Sequence, residues 1–595
     1  MKDQAVTLGS ALEAVDRIAA SSGFARSGAL VRFLRYVVEH SLRGESGQLK
    51  ETVIGVDVYG RPPAYDPKFD PVVRMQAAKL RSKLTEYYAG PGSQDPIVID
   101  LPKGSYAPVV RSAGDRAPRP VKWQWVAIGV VAVLAVAGLW RWLAARDAPP
   151  AIAVLPFVNV SGVAENEYFS DGLTDEIIQS LSTVEGLSVK SRTSSFAWKG
   201  KPQVIHEIGA KLQANVVLEG SVYRTADRLR VNAQLVRVSD ESSLWSNSYD
   251  RQMQDVFAIQ DEISRSIVNA LRVKLGGGQR RYSSNFEAYD QYLKGRYQLE
   301  WRDGSEAAKS LPFFERAIAK DPNFAPAYAG IALAHSRIMG YGQGELSEHD
   351  PRMKAAAERA LELDPLLPDA HLVLAVVHMW DFAWADAERE FHRSIEINPN
   401  FGLAHQWYGL HLTRRERFAE ALREARLALK LDPLSLDVRL VLAYAYLFSG
   451  RYSEAVAEAK RILAVDPSFP RARMVLGRAL FFQGLREMGI RELQAHNPKT
   501  YWIASAYAAT GRKQEALEIL DYVQKTQPWA ERMQPWGEAM VYAALGEKNR
   551  ALDILEALFA KKDLQATWIF VYPEYASLRS EPRFQALRQK AGLSK

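Results

Sequence analysis

Six polar side chains in the first fifth of the chain have the types and spacing of a nucleic-acid contact. Arg74, Gln76, Lys79, Arg81 and Lys83 fall within ten residues, and Lys103 follows twenty residues later. Cations of this kind displace counterions from phosphate, and Arg and Gln carry the donors that read base edges. A run of charge is more often a solvated face, so the elements around it must decide. A second set, Asp171, Asp175 and Glu176, has the types for acid–base or metal chemistry. Asp171 also suits a helix N-terminus and the other two its first turns, where carboxylates offset the dipole, and this structural role is the expectation. The histidines form a third set, with His371 and His378 seven apart and His405 and His411 six apart. A metal pair on one helix prefers three or four, so these are expected to pack or line a groove. With no phosphate-cradling Gly loop and no nucleophile elbow, neither enzyme activity nor a cofactor nor a metal is expected.

The basic set needs a helix to present it. GALVRFLRYVVEHSLR at Gly28–Arg43 repeats apolar residues at helical spacing, and Leu49–Val58 is a second, shorter helix candidate. Asp70 and Pro71 then open a third, running to about Tyr88, with Val73, Ala77, Leu80 and Leu84 as its apolar face. IVIDLPKGSYAPVV alternates around Pro-Lys-Gly-Ser and reads as a β-hairpin with Lys103 at its tip. Helices followed by such a hairpin make a winged helix, whose third helix enters the major groove.

The residues VVRMQAAKLRSKL and the hairpin resemble the end of an OmpR/PhoB-type effector domain. Lys79, Leu80, Arg81, Lys83 and Leu84 match the family's basic recognition-helix run, and Lys103, Gly104 and Tyr106 its wing. The resemblance implies that Gln76, Lys79 and Arg81 approach bases or backbone and that Lys103 makes the wing contact. Residues 1–112 are therefore expected to be a winged-helix DNA-binding domain, followed by a linker at 113–122.

Trp123–Leu143 reads WQWVAIGVVAVLAVAGLWRWL, with no charge from Trp123 to Trp140 and paired tryptophans at both ends. Eighteen residues of helix span about 27 Å, close to the hydrocarbon thickness of a bilayer. One transmembrane helix is expected at 123–143. Arg111, Arg116, Arg119 and Lys122 precede it and Arg141 and Arg146 follow, which puts the N-terminus in the cytoplasm. The first 122 residues carry 18 Lys and Arg against 13 Asp and Glu, within a chain of net charge +7. There is no cysteine, so disulfides and thiol chemistry are excluded.

From Ala151 the pattern alternates strands and helices: AIAVLPF, a helix at Glu167–Leu181, a strand at Leu187–Ser191 and a helix at Val204–Leu212. A hairpin at Asn215–Arg224 and Arg228–Val238, a strand at Leu244–Tyr249 and a helix at Asp255–Leu271 complete it. This order, β-α-β-α-β-β-β-α, is an α/β module over 150–275. Its runs AVLPF, EYFSDGLTDEI, VLEGSVYR and VFAIQDEI resemble the TolB-N-terminal-like, or FlgO-like, module, which implies a partner-facing role. A linker is expected at 276–284.

Asp-Pro or Asn-Pro pairs at Asp321, Asp364, Asn398, Asp432 and Asp466 punctuate the remainder, the last four at intervals of 34 residues. That period is the tetratricopeptide helix–turn–helix, so 285–595 is expected to be an all-α superhelix with a terminal capping helix. The 43-residue first interval implies about nine extra residues near Gly340–His349.

The whole is multidomain: an α+β winged helix, one transmembrane helix, an α/β module and an all-α tetratricopeptide superhelix. This order is similar to the ToxR/CadC architecture. The resemblance implies a single-pass regulator of the bacterial inner membrane, with DNA bound in the cytoplasm and sensing domains in the periplasm. Expected partners are double-stranded DNA, protein or peptide ligands in the repeat groove, and the inner membrane; a homodimer is compatible with it. The alternative is a membrane-anchored tetratricopeptide scaffold for protein assembly that binds no DNA.

Overall fold

A computed structural model describes residues 6–25, 27–63, 65–67, 70–112, 150–202, 204–225, 227–271, 285–299, 307–340, 346–526, 530–561 and 564–593. The chain divides into two compact units, Met1–Arg146 and Asp147–Lys595. Among the described residues no helix is long and apolar enough to cross a membrane. The span expected at 123–143 and the linkers at 113–122 and 276–284 lie outside the described residues.

Among its described residues the first unit holds four α-helices and a hairpin. They are α1 (Leu8–Ala20), α2 (Gly28–Leu42), α3 (Glu51–Asp57), α4 (Val72–Ala89), β1 (Ile97–Asp100) and β2 (Val109–Ser112). Helix α1 was not expected from the pattern; Thr7 and Ser10 start it with a reciprocal capping box. Its small stripe of Ala11, Ala14, Val15 and Ile18 packs with Phe33, Val37, Val73, Ala77 and Leu80 in a separate core. Pro71 sits at the cap of α4, one place before the expected first turn, and the Asp70 side chain accepts the Val72 amide at 3.2 Å. The hairpin pairs Ile97 with Ser112 through Asp100 with Val109, and Gly104 turns its tip at φ +86°.

The second unit opens with a mixed sheet. Its strands are β3 (Ala151–Val154), β4 (Val158–Asn159), β5 (Ser188–Val189), β6 (Val216–Arg224), β7 (Arg228–Arg237) and β8 (Ser243–Gln252). The order is β5-β3-β6-β7-β8, with β4 beside β6; β3 is parallel to its neighbours, and β6, β7 and β8 are antiparallel. Helices α5 (Glu167–Ser182), α6 (Arg192–Phe196), α7 (Ile205–Leu212) and α8 (Val256–Leu271) complete the module. One sheet face packs Ile152, Val154 and Leu218 with α5 and α8; the other packs Ala153, Leu155 and Val217 with α7.

Eight helix pairs follow among the described residues. They are α9 (Phe286–Leu299) with α10 (Ala307–Lys320), α11 (Ala325–Gly340) with α12 (Leu346–Leu363), α13 (Pro368–Trp380) with α14 (Trp384–Ile397), and α15 (Gly402–Arg414) with α16 (Phe418–Leu431). Then come α17 (Leu436–Phe448) with α18 (Tyr452–Val465), α19 (Pro470–Phe482) with α20 (Arg486–His496), α21 (Tyr501–Ala509) with α22 (Lys513–Thr526), and α23 (Ala530–Leu545) with α24 (Lys548–Ala560). Each expected Asp-Pro or Asn-Pro pair directly follows a second helix. Part of the 43-residue interval goes into α12, 18 residues long where α14, α16 and α18 have 14. Close packing inside a pair is visible at Gly489, where a Cβ would sit 2.6 Å from the Gly477 carbonyl oxygen.

First helices of successive pairs touch one another (α11 with α13, α15 with α17, α17 with α19, α21 with α23), so the array curves toward that layer. The C-terminal residues form two 3₁₀ turns, Leu564–Thr567 and Pro573–Leu578, and helix α25 (Pro582–Lys590). Helix α25 caps α24 through Arg583 with Glu556, as a terminal helix should. Unlike a simple cap, the segment also runs back along the inner layer, so that Arg588 pairs with Glu416.

Candidate nucleic-acid interface and inner face of the repeats

The core stripe of α4 leaves Met75, Ala78, Lys79 and Ser82 outward. Of the six residues read from the sequence, Lys79 and Lys103 are exposed and make no hydrogen bond or ion pair among the described residues. Gln76 is half-buried and likewise makes none. Arg74 is exposed but pairs with Glu51 of α3 at 2.8 Å.

Arg81 and Lys83 turn inward. The Arg81 guanidinium donates to the carbonyls of Leu101 at 2.9 Å, Pro102 at 3.1 Å and Ser105 at 3.0 Å. It therefore fixes the hairpin to α4. The Lys83 ammonium donates to the Gly23 carbonyl and, at 3.1 Å, to the Ser27 hydroxyl, so it holds the α1–α2 turn. Helical spacing shows which residues leave the core stripe, but long side chains bend back to unpaired carbonyls, and spacing is silent on that. Of the six, the two lysines left exposed and unpaired among the described residues are Lys79 on α4 and Lys103 on the hairpin tip that Arg81 anchors to it.

The acidic set divides between the module and its junction with the repeats. Asp171 lies in the second turn of α5, not at its N-terminus, and its buried carboxylate accepts from Lys199 at 2.6 and 2.7 Å. Burial raises its pKa even so. Asp175 accepts from Arg296 of α9 at 2.7 Å, and Arg296 also lies 3.8 Å from Asp369. Burial, with Asp175 adjacent, pushes the Glu176 carboxyl up to about 7.

Two repeat turns seat the module from the other side. The Asn400 amide donates to the Ser182 and Leu187 carbonyls, both at 2.9 Å, and its oxygen accepts the Val189 amide at 3.1 Å. Lys190, buried and lowered to about 8 by that burial, donates to the Lys430 carbonyl at 2.8 Å. Ser194 donates to the Asp432 carboxylate and accepts the Leu434 amide at 2.9 Å.

The histidines belong to a ladder with the repeat period. His371 contacts Glu390 at 2.6 Å and the Pro365 carbonyl at 3.0 Å; His405 contacts Glu424 at 2.7 Å and the Pro399 carbonyl at 3.1 Å. Arg439 and Arg473 occupy the same place in the next repeats, bonded to Glu458 and Glu492 at 3.0 Å. The informative spacing is the 34 residues from His371 to His405, not the shorter ones. His411 is fully buried among Trp384, Phe391 and Tyr408, and that burial lowers it to about 3.

The inner layer holds the C-terminal segment. Arg414 of α15 stacks on Trp568 at 3.8 Å and donates to the Thr567 hydroxyl at 3.1 Å. Tyr572 sits among Phe448, Trp502 and Trp536 at ring distances of 5.5, 5.7 and 5.6 Å. Arg478 donates twice to Glu574, at 2.7 and 2.8 Å. Trp384 donates to the Ala591 carbonyl, and Arg415 to that of Gly592 at 2.7 Å. A repeat array offers an open groove by default; here the chain itself fills it.

Comparison with known proteins agrees with part of this reading. Residues 148–266 match the family described as HilA/YgeH-like transcriptional regulator, second domain. That family stands where the sequence resembled the TolB-N-terminal or FlgO-like module. Residues 412–484 match the tetratricopeptide repeat. The chain thus carries a domain found in transcriptional regulators and repeats of a protein-binding class.

A relative from Rhizobium meliloti (strain 1021), named "Putative adenylate cyclase 3", is 39% identical over 239 residues, covering 39% of this chain and 41% of the relative. The chain thus spans less than half the length of that relative. The relative's name is an enzyme's, and this corrects the expectation that enzyme character is absent. Among solved structures, Pseudomonas aeruginosa PilF is 18% identical over 35% of this chain and 96% of its own, with a TM-score of 0.28. A human IFIT1 dimer with PPP-AAAA is 16% identical over 51% and 78%, with a TM-score of 0.34.

Proposed function

We propose that the chain is a transcriptional regulator that binds duplex DNA through its first unit and a protein partner through its second. The observation that carries this reading is the match of residues 148–266 to the second domain of a transcriptional regulator, placed behind a helical unit with a cationic hairpin. Lys79 and Lys103 supply the phosphate contacts, Gln76 and Arg74 lie on the same helix for closer readout, and Arg81 and Lys83 hold the hairpin and the α1–α2 turn in place. In the finer form of the proposal, the apolar stretch 123–143 spans the bacterial inner membrane, with the first unit cytoplasmic and the second periplasmic. Partner binding then gathers copies of the chain, and two weak DNA units gain effective concentration on a paired site. Titration of a duplex from the chain's own promoter, against a scrambled duplex at two salt concentrations, tests it. Equal weak binding to both duplexes overturns the reading.

The Rhizobium relative favours a second reading. The shared region is a regulatory part that also serves a nucleotide-cyclising enzyme, so that cyclase output is what the partner controls. Cyclic AMP formation from ATP and Mg²⁺ by the purified full chain, alone and with cyclase co-expressed, tests this directly.

A further inference from the structure

The tail is built into the inner layer like a ligand. Between Thr567 and Glu574 it makes no further helix pair; it crosses the first helices of successive repeats and meets residues up to 154 positions away. Two positions of the 34-residue period receive it. Arg414 and Phe448 occupy one and flank Trp568; Tyr444 and Arg478 occupy the other and reach Trp568 and Glu574.

The backbone carries an independent mark of the same contact. The turns inside the α17–α18 and α19–α20 pairs need a left-handed residue, and Gly450 and Gly484 supply it at φ +75° and +99°. At the two equivalent positions, 34 and 68 residues before Gly450, stand Glu416 and Phe382, both at φ +59°. A side chain there is strained, and such strain persists where surroundings use it. Glu416 holds Arg588 at 2.7 and 2.8 Å, and Phe382 packs on Phe559 and on Trp384, which binds the Ala591 carbonyl.

The tail does not satisfy the groove. The Arg414 Nη1, the Arg415 Nε and the Trp536 Nε1 are buried with no hydrogen-bond partner among the described residues. Thr567 offers Arg414 one neutral hydroxyl where a carboxylate would offer two charged acceptors. Charge-assisted bonds to guanidinium are about twice as strong as neutral ones.

We propose that the inner layer of α15, α17, α19, α21 and α23 is a recognition groove for an acidic aromatic peptide, which the chain's own tail occupies in cis. The partner carries a carboxylate at the place of Thr567, aromatic residues at those of Trp568 and Tyr572, and a carboxylate at that of Glu574. The tail wins while no partner is present because its tether keeps it at high effective concentration. The partner wins because its first carboxylate takes the Arg414 Nη1, which Thr567 leaves unpaired. This rests on the reading of the repeats as partner-binding and is independent of DNA binding.

The test uses the full chain and three labelled peptides of sequence Ala566–Leu578: unaltered, Thr567→Glu and Glu574→Gln. Against a full chain bearing Glu574→Gln, which loosens the tail, the Thr567→Glu peptide is expected to bind at least tenfold more tightly than the unaltered peptide. The unaltered peptide should in turn exceed the Glu574→Gln peptide tenfold, and wild-type chain should keep this order with each affinity at least tenfold weaker. Equal affinities, or no binding of any peptide, overturn the proposal. Hydrogen exchange on wild-type chain decides without a variant. Saturating Thr567→Glu peptide should speed the amides of residues 568–578 at least tenfold, and unchanged exchange makes the tail a fixed part of the fold.

Discussion

Arg478 and Glu574 stand 96 residues apart and meet in a two-point ion pair, with 3% and 7% of the two side chains exposed. Trp502 stacks on the guanidinium at 3.9 Å, so the pair is closed off from water. Removing one partner of such a pair leaves a buried charge, at about 3–5 kcal/mol. Glu574→Ala is expected to destabilise the second unit by that amount in urea unfolding. Arg478→Met with Glu574→Leu together should recover most of the loss, because no charge is left buried.

Glu416 combines strained backbone with a favourable pair, and the two effects can be separated. A left-handed non-glycine residue costs about 1–2 kcal/mol relative to glycine. Glu416→Ala loses the bond to Arg588 and keeps the strain; Glu416→Gly loses the bond and relieves it. The glycine variant is therefore expected to be the more stable of the two by about 1 kcal/mol in the same unfolding measurement.

The ladder of His371, His405, Arg439 and Arg473 predicts an exchange. Each donates to a glutamate 19 residues on, and arginine already does so twice. His405→Arg should leave the unfolding midpoint nearly unchanged at neutral pH. His405→Ala should cost about 1–3 kcal/mol by leaving Glu424 and the Pro399 carbonyl unpaired.

Glu176 gives the junction of module and repeats a pH dependence. It faces Asp175 on its own helix, Arg296, Tyr289 and Tyr292 on α9, and Asp369 on α13. An unfolded glutamate titrates near 4.3. The folded chain holds the proton up to about 7, so this contribution to stability is complete below about pH 4.3 and is lost as pH rises through 7. Glu176→Gln should remove that decline and be more stable than the parent at pH 8, as read by thermal unfolding across the range.

Much of the architecture was legible because it is local and periodic. The Asp-Pro and Asn-Pro punctuation marks the ends of α10, α12, α14, α16 and α18, and alternation marks the β6–β7 hairpin. Helix α1 escaped because half of its buried stripe, Ala11 and Ala14, is alanine, which carries little periodic contrast. The same regularity also hid information. Gly450 and Gly484 recur at 34 residues, and the informative signal was the departure from glycine at Phe382 and Glu416.

The candidate site was only half legible. Lys79 and Lys103 stand exposed where helix and hairpin spacing put them. Arg81 and Lys83 were read from the same spacing, yet three carbonyls of the hairpin and one of the α1–α2 turn claim them. The pairing of Arg478 with Glu574 and of Asn400 with the Ser182 and Leu187 carbonyls depends on how the superhelix closes. No window of the sequence contains both partners.

The first unit has its own core, so duplex binding by residues 1–112 can be measured alone. The decisive measurement is its affinity for the chain's own promoter duplex as a function of salt. Preference over a scrambled duplex and a steep salt dependence are expected. Lys79→Ala and Lys103→Ala should each reduce the slope by about 1 while leaving thermal stability intact. Arg81→Ala should lower both affinity and thermal stability, because it releases the hairpin. Binding that is weak, equal for both duplexes and indifferent to Lys79 and Lys103 would mean that the first unit does not recognise duplex DNA.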